Sequence, residues 1–194
     1  SLPAAEDQMR MFEKEAGFAM ALLTVVQSCP DKPIQLSAAI YLKNWIKRCW
    51  EVDTDDSTVK AVPIGEGDKT TIKTSIVELM LQKTGPSRAL LIESIVLVSE
   101  HDFPGQWDSL LPDLASRLKP DQDVSTVTAC LDTVHNLCRE YPSMFRTDEL
   151  FTEILYVLSH VQAPLLAIFK HMQNVVATSQ DPAVAGPALV ALRS

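Results

Sequence analysis

The sequence predicts an all-α fold, a solenoid built from antiparallel helix pairs. Three observations carry this. Apolar residues recur at helical spacing along nearly the whole chain. Glycine is scarce, 6 residues in 194, and strand-like alternation is nearly absent. Proline and glycine fall between the periodic stretches, where helices stop and start.

Each element follows from its residues. Pro3 opens a helix running to about Lys14, with Met9, Phe12 and Ala16 on its apolar side, and Gly17 ends it. Phe18 to Ser28 is a short apolar helix, and Pro30 and Pro33 bracket a tight turn. Gln35 to Trp50 is a long amphipathic helix. Its apolar face holds Ala38, Ala39, Leu42, Ile46 and Cys49. Glu51 to Asp68 is acidic, rich in turn residues and without period, which predicts an exposed loop. Helices resume over Lys69 to Lys83, with Ile72, Ile76, Leu79 and Met80 on one side. After the Thr84-Gly85-Pro86 break another helix runs to His101.

The stretch Glu100 to Leu114, EHDFPGQWDSLLPDL, stops that helix. The residue before a proline is pushed out of the α region. Asp102 then caps the next helix, with Pro104 in its first turn. Trp107, Leu110, Leu111, Leu114 and Leu118 would share one face of it, and Pro112 would kink it. On this reading Trp107 is an anchor between helices. A helix from about Asp123 to Arg139 follows, striped by Val124, Val127, Leu131, Val134, Cys138 and Tyr141. Asp148 to Val176 is the longest helical stretch, with Pro164 as its kink, and Asp181 to Ser194 begins another helix. The helices starting near residues 35, 87 and 123 mark irregular pairs, of HEAT or armadillo type. Repeats fill residues 1–176, about four pairs with the first incomplete, and 177–194 start the next.

The charge and cysteines narrow the function. A net charge of −8 disfavours direct binding of nucleic-acid backbones and suits basic partners. Cys29, Cys49, Cys130 and Cys138 form no CxxC pair and read as reduced thiols of an intracellular protein. The sequence shows no signal peptide and no run of about 18 apolar residues, so no membrane span is expected. The chain opens at Ser1 without an initiator Met, as a fragment would.

No phosphate loop, nucleophile elbow or HExxH pair occurs, and no cofactor or metal site is expected. Asp132 and His135 share a helix at i, i+3, the one arrangement a helical-bundle enzyme could use. His101, His160 and His171 are scattered over separate segments. The informative helix is QLSAAIYLKNWIKRCW. Opposite its apolar face it gathers Ser37, Lys43, Asn44, Lys47 and Arg48, a basic patch on an acidic chain. Cations near a helix C-terminus also favour the helix dipole, so the patch has a purely structural reading too. Glu93 and Glu100, seven apart, lie on one side of a later helix.

These residues carry a resemblance. QLSAAIYLKNWIKRCW resembles the second-repeat inner helix of the importin-β (karyopherin) superfamily, with its Lys-Asn pair, basic stretch and Trp. EHDFPGQWDSLLPDL is similar to that family's acidic-Phe-Pro-x-x-Trp-x-x-Leu-Leu repeat start. FRTDELFTEILYVLSHVQAPLLAIFK resembles the exportin-2 branch, the type that returns importin-α to the cytoplasm. The likeness spans about Ala4 to Lys170. It implies an N-terminal fragment of a right-handed HEAT-repeat superhelix. The inner helices would be Pro3 to Glu15, Gln35 to Trp50, Ser87 to His101 and Asp123 to Arg139.

It further implies a non-enzymatic nuclear transport receptor. That receptor binds GTP-bound Ran, carries importin-α as cargo and meets nuclear pore proteins while shuttling between nucleus and cytoplasm. By position, Lys43, Asn44 and Lys47 match the family's Lys-Asn-basic pattern, and Glu93 falls where an acidic residue is usual. These four are the candidate Ran contacts. The alternatives are another Ran-dependent importin or exportin, or a generic HEAT-repeat scaffold. The chain departs from the family by lacking one helix at its start and by being several times shorter.

Overall fold

In the computed structural model the described residues are 8–52 and 61–178, and they fall within two compact units, Ser1–Trp107 and Asp108–Ser194. All regular structure among them is helical.

The first unit is two stacked helix pairs. Helix α1 spans Phe18–Ser28 and α2 spans Lys32–Cys49; α3 spans Glu66–Gln82 and α4 spans Gly85–Asp102. Short turns reverse the chain within each pair. Then α1 packs on α3, and α2 on α4. Gly17 precedes α1 in the left-handed region, φ 89°, where a side chain would strain the backbone. Its N–H donates to Asp68 Oδ1 at 3.1 Å, which ties the start of α1 to α3. The buried face of α2 is Gln35, Ala38, Ala39, Leu42, Trp45, Ile46 and Cys49. Phe18 meets Trp45 edge-on, with ring centroids 5.0 Å apart.

One buried carboxylate joins three of these helices. Asp102, the last residue of α4, is only 4% exposed. Its Oδ1 accepts from Trp50 Nε1 at 3.1 Å, just past the end of α2. Its Oδ2 accepts from Lys73 Nζ of α3 at 2.8 Å. Its carbonyl accepts from Gln106 and Trp107 N–H at 2.7 and 2.9 Å, and Lys73 also donates to Gln106 O at 3.1 Å. The Nζ atoms of Lys69 and Lys73 lie 5.4 and 6.0 Å from the Trp50 ring centroid.

The second unit is smaller. Helix α5 is Leu110–Ser116, α6 is Val124–Cys138 and α7 is Asp148–Thr178. A 3-10 turn, Tyr141–Ser143, sits between α6 and α7. Helix α5 packs on both α6 and α7 through Leu110, Leu111 and Leu114. Asp123 caps α6 by accepting from the N–H groups of Ser125 and Thr126.

Several expectations shift. Pro33 lies in the first turn of α2, not in a turn before it, because Asp31 caps the helix there and that turn needs no N–H from proline. The loop expected to reach Asp68 ends sooner. Ile64 is buried, its N–H donates to Cys49 O at 2.9 Å, and α3 begins at Glu66. Asp102 ends α4 rather than capping a new helix. Trp107 is buried but lies outside α5, and Pro112 sits in the first turn of α5, where it removes no intrahelical bond and forces no kink. Helix α7 runs on through Pro164.

The α6 stripe is also displaced. Val124 is 68% exposed, while Ala129, Cys130 and Thr133 are buried. The covered line is thus one of small side chains, which suits close helix packing, rather than the heptad-like stripe. The helix expected over Asp181 to Ser194, and residues 3–7 of the one opening at Pro3, lie outside the described residues. Residues 8–12 are helical.

Asp102→Ala strips the partner from the buried Trp50 indole N–H and from Lys73. It should lower stability by about 3 kcal/mol, read as a drop in urea midpoint. A loss below about 0.5 kcal/mol would show that the carboxylate is not the join described here.

Candidate partner-binding surface

Helices α2 and α4 pack side by side, and the faces they leave exposed carry the sequence-predicted residues. Apolar residues of α2 recur at helical spacing and turn inward, so Ser37, Asn44, Lys47 and Arg48 are left outside. On α4 the buried run Leu91, Ile92, Ser94, Ile95, Val98 and Ser99 leaves Glu93 and Glu100 exposed.

The structure brings two of the four candidates together. Lys43 Nζ is 3.3 Å from Glu93 Oε1, a bridge from α2 to α4. Lys43 is the more covered partner and Glu93 the more exposed, so the bridge lies at the edge of the interhelix groove. Asn44 and Lys47 stand beside it on α2, both exposed. Among the described residues no carboxylate pairs with Lys47 within ion-pair distance. Exposed pairs of the Lys43–Glu93 kind contribute roughly 0–1 kcal/mol, so a partner can replace the contact at little cost.

Arg48 is not free. Its Nη2 lies 2.7 Å from Glu13 Oε1, and the Tyr41 hydroxyl donates to the same oxygen at 2.7 Å. The cationic surface on α2 is therefore narrower than the sequence patch, reduced to Lys43 and Lys47 around Asn44. Glu13 precedes α1 by several residues and its role carries no sequence signal, since both its partners lie far along the chain. Burial, the Glu13 hydrogen bond and the Glu13 charge all hold the Tyr41 phenol above its ordinary value.

The side chains weighed for chemistry stay apart. Asp132 and His135 are both exposed on α6. His160 Nδ1 lies 2.9 Å from Tyr156 O, within its own helix, and His101 Nδ1 is 4.0 Å from Glu51 Oε2. Among the described residues no three His, Cys, Asp or Glu side chains are placed to hold a metal. The expectation about membrane length needs correcting. Over an 18-residue window of mean hydropathy 1.4, α7 is long and apolar enough to cross a bilayer, because Ser159, His160 and Gln162 interrupt it without adding full charges.

Residues 5–82 match the sequence pattern of the Importin-beta N-terminal domain, and residues 137–186 match that of Cse1. Both matches are to importin-β-type transport receptor families. This chain is 36% identical over 175 residues to the importin-alpha re-exporter of Schizosaccharomyces pombe, covering 89% of this chain and 18% of that protein. It is 31% identical over 181 residues to human exportin-2, covering 93% of this chain and 18% of that one.

Among solved structures it is similar to the exportin Cse1 in its cargo-free, cytoplasmic state. The TM-score is 0.82 at 31% identity, over 95% of this chain and 20% of that one. The chain thus spans about a fifth of the length of these relatives. Its fold class is the all-α HEAT-repeat solenoid.

The raised Tyr41 value sets a pH dependence. The unfolded phenol ionises near about 10, while the folded one keeps its proton to higher pH. Its contribution is fully present below that unfolded value and is lost as pH rises toward the folded one. Wild-type protein should therefore lose stability relative to Tyr41→Phe as pH is raised from neutral past that point. A difference between the two that stays constant with pH would contradict the assignment.

Proposed function

We propose that this chain is the N-terminal HEAT-repeat part of an exportin-2-type receptor that carries importin-α out of the nucleus. It does so by binding GTP-bound Ran, in an assembly that moves through nuclear pore proteins between nucleus and cytoplasm. The observation that carries the reading is the 36% identity over 89% of the chain to a protein named for re-exporting importin-α. Residues 1–176 would be the repeats of this part, about four pairs with the first incomplete, and 177–194 the start of the next.

The α2–α4 surface is the face proposed for Ran, with Lys43, Asn44, Lys47 and Glu93 as contacts. Lys47 and Asn44 are exposed and need no rearrangement to meet a partner. Lys43 and Glu93 hold each other in the free chain and would exchange that contact for ones on Ran. The work is binding, not bond making. Coupling between Ran and cargo is reciprocal, so importin-α must tighten Ran binding by the factor with which Ran tightens importin-α. The excess of 25 acidic over 17 basic residues supports a basic cargo segment as partner.

The test is a titration of Ran into the full-length parent, loaded with GTP or GDP, with and without importin-α. The proposal expects tight binding only with GTP, strengthened by importin-α. Opposition between Ran and cargo would instead make the parent an importin, and equal binding of both nucleotide forms would end the Ran assignment. Lys47→Glu in the same parent should weaken GTP-Ran binding about tenfold, chiefly by reversing a complementary charge.

A further inference from the structure

Helix α2 breaks its own pattern at one exposed position. Ile40 lies two residues from the buried Leu42, so it points nearly opposite the core. The same period puts Ser37, Asn44 and Lys47 on that side, all exposed and all polar. Ile40 is nonetheless aliphatic, and it is 42% exposed. The amphipathic pattern that builds the α2 core calls for a polar residue there. A β-branched side chain also gives up helix propensity relative to alanine or lysine. Neither burial in the core nor helix propensity selects isoleucine at this point.

Its surroundings are those of a docking anchor. Lys43 and Asn44 lie one turn along from it and Lys47 two, with Ser37 one turn before. Lys43–Glu93 and Trp50–Asp102 pair α2 and its end with α4 in the same direction along both helices. That register sets Ala89, exposed, and Leu90, half-buried, across from Ile40. A small apolar step therefore sits inside a ring of solvated polar groups, with the Lys43–Glu93 bridge on its rim. Interfaces concentrate their affinity in such a centre, while the ring around it excludes water.

We propose that Ile40 is the apolar anchor of the α2–α4 face and sets its residence time on GTP-bound Ran. This rests on the Ran reading above and adds to it a residue that neither charge nor resemblance selects. The partner surface it fits is an apolar side chain or pocket with an acidic group beside it, within reach of Lys47. The two kinds of residue divide the work. Lys47 steers approach, and Ile40 slows departure.

Binding kinetics of the full-length parent with GTP-loaded Ran test it. Ile40→Ala should weaken binding about tenfold, nearly all through faster dissociation, with the association rate and its salt dependence kept. Lys47→Glu should instead slow association and change its salt dependence. Ile40→Val should stay within about fourfold of wild type, since it keeps most of the apolar contact. Ile34→Ala is the control. Ile34 is 50% exposed on the same helix but about a third of a turn round from Ile40, off this face, so the same truncation should leave Ran binding unchanged. Equal affinity of Ile40→Ala and wild type would overturn the proposal. So would a loss confined to association, or an equal loss in Ile34→Ala, which would reduce Ile40 to helix packing. A parent that fails to bind GTP-loaded Ran at all would end the Ran reading, and the anchor with it.

Discussion

The first unit depends on where one buried negative charge finds its partners. Asp102 sits almost out of water, and a lone carboxylate there would be costly. It is held by an indole N–H from the end of α2 and an ammonium from the middle of α3, while its own helix supplies the backbone. Three helices are thereby fixed at one point. The same residue's carbonyl binds Gln106 and Trp107, so the turn that leaves α4 is fixed at that point as well. Lys73 serves both, bonding the carboxylate and Gln106 O. Buried apolar surface supplies most of the folding force, but it is nondirectional. The Asp102 contacts add direction, setting where α2 ends relative to α4.

That setting matters for the surface on α2 and α4. With both helices fixed at the Asp102 end, Lys43 of one meets Glu93 of the other. Arg48 and Tyr41 are drawn to Glu13 on the chain leading into α1. The exposed remainder is Asn44 and Lys47. A surface of this kind suits reversible recognition. Its charges are solvated, their mutual pairing is weak, and the scaffold beneath is rigid through Leu42, Trp45 and Ile46.

Much of this was legible in the sequence. The helical period of α1 and the inward face of α2 follow from side-chain spacing alone, because burying apolar stripes leaves one arrangement for each helix. The proposed contacts Lys43, Asn44, Lys47 and Glu93 rest on resemblance, while the exposure of Asn44, Lys47 and Glu93 follows from the same periodicity. What could not be read was pairing over long separations. Asp102 looks like a cap next to proline, and nothing local says that Trp50 and Lys73 will reach it. Glu13 is one of many surface-like acids until α2 folds beside it. The α6 stripe failed for a related reason. A period shows which residues share a line, not which line is covered, and here Ala129, Cys130 and Thr133 are the buried ones.

The central claim is that α2 and α4 form one docking face on a scaffold fixed by Asp102. Hydrogen exchange of the full-length parent, free and with GTP-bound Ran, tests it most directly. The account predicts added protection in α2 around Asn44 to Lys47 and in α4 around Glu93, with little change in α1 and α3. Protection confined to α1 and α3, with α2 and α4 unchanged, would contradict it and return Lys43 and Lys47 to the role of solvated helix charges.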